Sequence, residues 1–245
     1  MTKIVTHPGL RTDRNPTSEA IGAIKLPAIL QGVGGWGISE DFVGGTTEGT
    51  WTKTDVGSIS GTAFSVASAV AGGAYLLDSG DAANDDAVQV QLVGDSFKAA
   101  AGASIYFGTL LKLELLTGEL FAGLSITDTT LTAGGDMATI DYVGFFWDQT
   151  ALLFEGMKAS AAESKDTGLA LTADTYVKLE FVITDTNSAV PFVNGIRYPA
   201  AKLSAPTVAA ITPSLTVIGG AGHPNVTIDW VKCYQQQDLA RVGSA

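Results

Sequence analysis

The chain is poor in the residues from which most active centres are assembled. It holds one cysteine, Cys233, and two histidines, His7 and His223, in 245 residues. A single thiol excludes an internal disulfide framework. A closed zinc site needs about four Cys or His ligands, or three with carboxylate help, and three such residues spread over an N-terminal stretch, a glycine-rich loop and a terminal strand do not supply one. Cys233 as a nucleophile with His223 as its base is a weaker reading than a small buried thiol on the last strand. Charge is also scarce: 16% of the residues are charged and the net charge is −11, where an average domain has about 25% charged residues. That acidic balance argues against a nucleic-acid partner. Long apolar runs are missing. The least polar window, residues 61–77, is interrupted by polar residues and falls short of the roughly 20 apolar residues of a spanning helix. No basic start followed by an apolar run marks residues 1–30 as a secretory signal. No membrane partner is expected.

Paired carboxylates are absent in the form a β-sandwich hydrolase would use. A retaining glycosidase holds its two carboxyl groups about 5 to 5.5 Å apart, which on one strand means acids at i and i+2. None of the 25 acids has a second at that spacing. Glycine-rich runs at 32–35 and 219–222 lack the strand-to-helix context and the Lys-Ser/Thr of a phosphate loop, so they read as turns. One acidic loop, Asp78 to Asp86, offers Asp78, Asp81, Asp85 and Asp86 as oxygen ligands for calcium, although without EF-hand spacing; a solvated acidic turn is the simpler reading. No cofactor is expected. Among the four tryptophans, Trp147 and Trp230 lie in apolar strands and are expected in the core, whereas Trp51, between Thr50 and Thr52, is the candidate for stacking on a sugar.

What the sequence does contain is β-structure. Apolar residues make up 46% of the chain and glycines number 29, enough for a sizeable core with many turns. Short alternating runs bounded by Gly, Asp, Asn and Thr recur from Trp36 onward. Val88–Leu92 alternates, and in Tyr176–Ile183 the set Val177, Leu179, Phe181, Ile183 points inward while Lys178 and Glu180 point to water. Strands are also expected at Ile105–Leu116, Leu120–Ile126, Tyr142–Trp147, Leu152–Lys158, Leu215–Ile218 and Val226–Tyr234. Asn194-Gly195 between apolar residues predicts a tight hairpin, because both turn positions need positive φ. Helix evidence is limited to one turn within Ser96–Ser104, where Lys98-Ala99-Ala100-Ala101 is cut by Gly102.

Residues 1–35 differ in composition from the remainder. They carry Lys3, Arg11, Arg14 and Lys25 against Asp13 and Glu19, a balance of +2, while the other 210 residues carry −13. Pro8, Pro16 and Pro27 and the lack of any period of 2 or 3.6 mark an extended arm. Its apolar residues Ile21, Ile24, Leu26, Ile29 and Leu30 are suited to docking. The resulting partition is an arm over 1–35, a β-sandwich over 36–236 and a polar tail over 237–245.

The order of segments carries a resemblance. Ala100 to Phe107 leading into Leu111-Lys112-Leu113, then Phe121 to Ser125, Asp141 to Phe146, Tyr176 to Phe181, Phe192 to Gly195, Leu215 to Ile218 and the closing Val226 to Gln236 resemble the concanavalin A-like (lectin/glucanase-type) jelly-roll proteins among tailed-bacteriophage virion structural proteins. The resemblance spans about residues 36–236. It implies an all-β jelly-roll sandwich of two antiparallel sheets with the N-terminal arm attached, and no catalysis. It implies a decoration, cement or head-fibre protein on the capsid exterior, with the major capsid protein or other virion proteins as partners. By analogy with such shells it also implies a homo-oligomer, with a trimer expected. The arm residues Lys3, Arg11 and Arg14 would then pair with acidic shell residues, and Ile21, Ile24 and Leu26 would fill apolar grooves or join a neighbouring sheet edge. Two other readings stand beside it: a module that adsorbs to host-surface glycans, and a polysaccharide depolymerase.

Overall fold

The computed structural model describes residues 35–42, 51–57, 63–67, 73–80, 86–94, 97–99, 103–133, 136–184, 188–204, 209–220 and 223–236. Among them run the strands β1 (Gly35–Glu40), β2 (Trp51–Val56), β3 (Ala63–Val66), β4 (Tyr75–Asp78), β5 (Ala87–Leu92), β6 (Phe97–Lys98), β7 (Ile105–Leu113), β8 (Glu119–Ser125), β9 (Thr132–Ala133) and β10 (Asp136–Met137). They are followed by β11 (Tyr142–Trp147), β12 (Leu152–Lys158), β13 (Ala161–Asp166), β14 (Val177–Ile183), β15 (Ala189–Val193), β16 (Ile196–Arg197), β17 (Ala210–Ile218) and β18 (Asn225–Gln236). One 3-10 turn, Pro199–Ala201, is the only helical element among the described residues. Sheet A has the order β16-β15-β14-β7-β18-β4-β3, with β1 also beside β18; sheet B has the order β13-β12-β11-β8-β17-β5-β2, with β6 beside β17. The fold is an all-β sandwich of two antiparallel sheets.

The sandwich follows from alternation. On β14, Val177, Leu179, Phe181 and Ile183 face inward; on β8 so do Leu120, Ala122 and Leu124, and on β11 Val143, Phe145 and Trp147. Inward side chains of both sheets join in one cluster, as two apolar faces must when each is a poor neighbour for water. At its centre Phe107, Phe145, Phe154 and Phe181 meet with centroids 5.1 to 6.4 Å apart. The predicted hairpin is present: Asn194 has φ 51° and Gly195 φ 80°, closing the turn between β15 and β16.

Four expectations are corrected. Residues Phe97–Lys98 form β6 rather than a helical turn, because they complete the edge of β17 by pairing with Ala210 and Ile211; residues 100–102 lie outside the described ones. Glu180, expected in water, is fully buried. Trp51 is buried rather than exposed, at 6%: β2 places it inward beside Leu92, with Phe42 at 6.2 Å between centroids. Trp230, expected in the core, lies on the outer face of sheet A. A bulge between Ile228 and Trp230 shifts the β18–β7 register, and one extra residue reverses which way all later side chains point. Val231 and Cys233 thereby enter the core, while Trp230 lies under the Lys232 ammonium, 4.4 Å from its ring centre. Trp147 is in the core as expected.

Candidate functional site

The outer face of sheet B is where polar chemistry and apolar packing meet. Alternation directs Gln89 and Gln91 of β5, Phe121, Gly123 and Ser125 of β8, Tyr142, Gly144 and Phe146 of β11, Glu155 of β12, and Thr212, Ser214 and Thr216 of β17 away from the core, in the observed registers. A solvated outer face is the default for an antiparallel sheet. Here, however, Gln89, Phe121, Ser125, Thr212, Ser214 and Thr216 have no exposed surface.

The cover is the described part of the connection between β8 and β11, residues 126–133 and 136–141, in which β9 pairs with β10. Two side-chain amides clamp it. The Gln89 Nε2 donates to the Asp128 carbonyl at 2.6 Å while its Oε1 accepts from the Leu131 N–H at 2.8 Å. The Gln91 Oε1 accepts from the Asp128 N–H at 3.1 Å, and its Nε2 lies 3.0 Å from the Ile126 carbonyl, Ser125 Oγ and Ser214 Oγ. Each glutamine thus satisfies backbone groups of the connection as a neighbouring strand would, which removes the cost of burying them. Asp128 shapes the turn by accepting from the N–H and hydroxyl of Thr130. Beyond the clamp, Met137 and Ile140 pack on a cluster of Phe121, Tyr142, Phe146, Ile218 and Ala87. Phe121 lies across two glycines. A Cβ on either Gly123 or Gly144 would stand 2.9 Å from its ring and closer still to backbone of the adjoining strand, so only glycine lets the ring lie flat.

Acids ring this face. Burial raises the Glu155 carboxyl above its ordinary value, against hydrogen bonds from Ser164 and Tyr142 that lower it, with the charges of Asp136 and Asp148 adding to the rise. Burial likewise raises Glu119, opposed by its hydrogen bond from Gln149, with Asp136 and Asp148 again adding. The Tyr142 hydroxyl, 3.5 Å from Glu155 Oε2, is pushed up by burial first and by that carboxylate second. Raised carboxyl groups suit a general acid, so their separation matters. Gly144 stands opposite both Gly123 and Glu155. Glu119 is four residues along β8 from Gly123, and β8 and β12 are two strand spacings apart. At 3.3 Å per residue and 4.8 Å per strand this puts the two glutamates roughly 16 Å apart at Cα, whereas glycosidase carboxyls lie about 5 to 9.5 Å apart. Both stand on the same side of the sheet, and each is bonded to a close neighbour, Glu119 to Gln149 and Glu155 to Tyr142, rather than to the other.

Beside the clamp a groove of about 440 Å³ remains, lined by Thr52, Thr54, Gln91, Val93, Gly94 and Asp128 among others. Its described lining is rich in hydroxyl groups, from Thr52, Thr54, Thr127 and Thr129, and holds no aromatic ring.

The other candidate residues are placed as follows. Lys3, Arg11, Arg14, Ile21, Ile24 and Leu26 lie outside the described residues, as do Asp81 and Asp85 of the calcium loop. Asp78 Oδ1 accepts from the Gly80 N–H at 2.8 Å, and the Asp86 carbonyl accepts from Gly219 at 2.7 Å. Among the described residues no three His, Cys, Asp or Glu side chains gather as a metal site. Cys233 is buried in the core, where desolvation pushes its thiol well up, the reverse of what a nucleophile needs. No helix among the described residues is long and apolar enough to cross a membrane. The Gln89/Gln91 clamp was not legible in the sequence as a site; its only signal was a pair of glutamines at i and i+2 on an apolar strand.

No protein-family model and no curated protein matches the chain. Solved structures match its fold. The β-glucanase of Bacillus licheniformis superposes with a TM-score of 0.56 at 16% identity, covering 80% of this chain and 96% of its own. Lectin I of Ulex europaeus, solved with the methyl glycoside of α-L-fucose, gives 0.55 at 10% identity, covering 82% and 98%. A Shewanella oneidensis protein of unknown function gives 0.57 at 15%, covering 84% and 88%. The chain therefore has the concanavalin A-like jelly-roll fold of lectins and glucanases.

Proposed function

We propose that the chain is a non-catalytic structural protein of a phage virion, a decoration or cement protein held on the capsid exterior by its N-terminal arm. The observation that supports adhesion over turnover is the roofed face of sheet B. A glycosidase needs an open cleft with two carboxyls within about 10 Å, and here residues 126–133 and 136–141 of the protein's own β8–β11 connection cover the part of that face over Gln89, Gln91 and Phe121. The virion setting rests on the resemblance of the strand segments. In this reading Lys3, Arg11 and Arg14 pair with acidic groups of the shell, and a symmetric homo-oligomer, a trimer by analogy, multiplies modest single contacts through effective concentration. Replacing the three cations by Glu should abolish co-sedimentation with capsid particles while the sandwich keeps its denaturation midpoint. Retained co-sedimentation would remove the arm from the mechanism, and labelled chains seen by electron microscopy away from the head would remove the capsid role.

A second reading is favoured by the groove at Thr52, Thr54 and Asp128: a module that adsorbs to host-surface glycans through hydroxyl and amide contacts. Its test is glycan-array binding that is lost in Asp128→Ala. A depolymerase would have to turn over host capsule.

A further inference from the structure

The groove beside the clamp is built from three separate parts of the chain. Its floor is β5, where Gln91 stands opposite Thr52 of β2 and Gln89 opposite Thr54. One wall is therefore Thr52 and Thr54, two residues apart on one face of β2 and about 7 Å from each other. The other wall is Thr127, Asp128 and Thr129 of the β8–β11 connection. Gln91 fixes that wall by accepting from the Asp128 N–H and donating to the Ile126 carbonyl. Exposed Val93 and Gly94 also line the space, which at about 440 Å³ falls in the range of small-ligand sites. Asp128 is the only charged residue of the described lining. Its Oδ1 is committed to the N–H and hydroxyl of Thr130, at 2.7 and 2.9 Å. Its Oδ2 has no hydrogen-bond partner among the described residues.

We infer that this groove selects uncharged oligosaccharides, and that Asp128 sets the selection. The inference rests on the reading of the groove as a glycan site and narrows its ligand. A sugar presents neighbouring hydroxyls, each both donor and acceptor, and the four threonine hydroxyls answer either role. Asp128 Oδ2 can only accept, so it calls for a ligand O–H, and a charge-assisted bond of that kind is the strongest single contact the lining offers. A ligand carboxylate in the same place would set a second negative charge against Asp128, with no Lys or Arg in the described lining to offset it. Such a charge leaves water without a partner, which is costly. Carboxylated sugars thus lose a hydrogen bond and meet a repulsion, the pairing from which discrimination is built. With no ring in the described lining to stack on, the hydroxyl pattern and charge of the ligand decide its affinity more than its apolar face does.

An array of matched oligosaccharide pairs, identical except that a hydroxymethyl group of one member is a carboxylate in the other, tests this on the full chain. The wild-type chain should bind the neutral member about tenfold more tightly or better. Asp128→Asn keeps the side-chain shape and an oxygen for Thr130 while replacing the charge by an amide donor. It should weaken neutral binding by about tenfold, as a charged acceptor is lost, and bring the carboxylated members level with the neutral ones. Equal affinity for both members in the wild-type chain, or a preference unchanged in Asp128→Asn, would overturn the inference while leaving glycan adhesion in place. Binding of neither member would remove the glycan reading and the inference with it. The wild-type comparison needs no variant, so it decides the matter if Asp128→Asn shifts the denaturation midpoint.

Discussion

Glu155 shows how one side chain can record its surroundings in a pH profile. Its folded carboxyl sits above the ordinary carboxylate value because burial disfavours the charge. The native state then holds the proton more tightly than the unfolded chain, so stability falls as pH rises from the ordinary carboxylate range through the raised value. Glu155→Gln removes that loss. At neutral pH its melting temperature should exceed the wild type's, and the difference should vanish near pH 3.5, below both values. Scanning calorimetry at the two pH values checks the sign. Trp51 makes a different point. It contacts Phe42, and the neighbouring Tyr75 and Phe64 complete an aromatic knot at that end of the sandwich. Trp51→Ala should therefore cost about 3 to 5 kcal/mol in urea denaturation, a structural effect with no need of a sugar.

Turns and connections carry the next set of consequences. Asn194 occupies the left-handed region that a two-residue hairpin demands, and its Oδ1 accepts from the Lys178 N–H at 2.9 Å. Asn194→Ala loses both advantages and should cost about 1 to 2 kcal/mol. Gln91→Ala should release the cover over sheet B. In hydrogen-exchange experiments the amides of Asp128 and Leu131 should exchange faster, while those of β7 and β14 stay protected, with a global loss of about 1 to 3 kcal/mol. The hairpin was legible because two adjacent residue types report one backbone conformation. β14 was legible because its inward set Val177, Leu179, Phe181 and Ile183 leaves a period of two, and β11 because Tyr142–Trp147 is a short apolar run, the mark of a strand buried on both faces. The cover was not, since Gln89 and Gln91 look like solvent-facing residues until a distant connection supplies backbone groups for them to bond. Trp230 was misread for a related reason: a one-residue bulge changes facing without changing composition.

For the molecule as a unit, β1 lies along β18, with Gly35 opposite Gln236 and Glu40 opposite Val231. Tension on the arm would load this antiparallel pair from its end, so its bonds would open one after another rather than together. If the arm is the tether, this ladder yields before the sandwich does. A domain torn at it would lose six residues of one edge and keep β4, β7 and β18 in register.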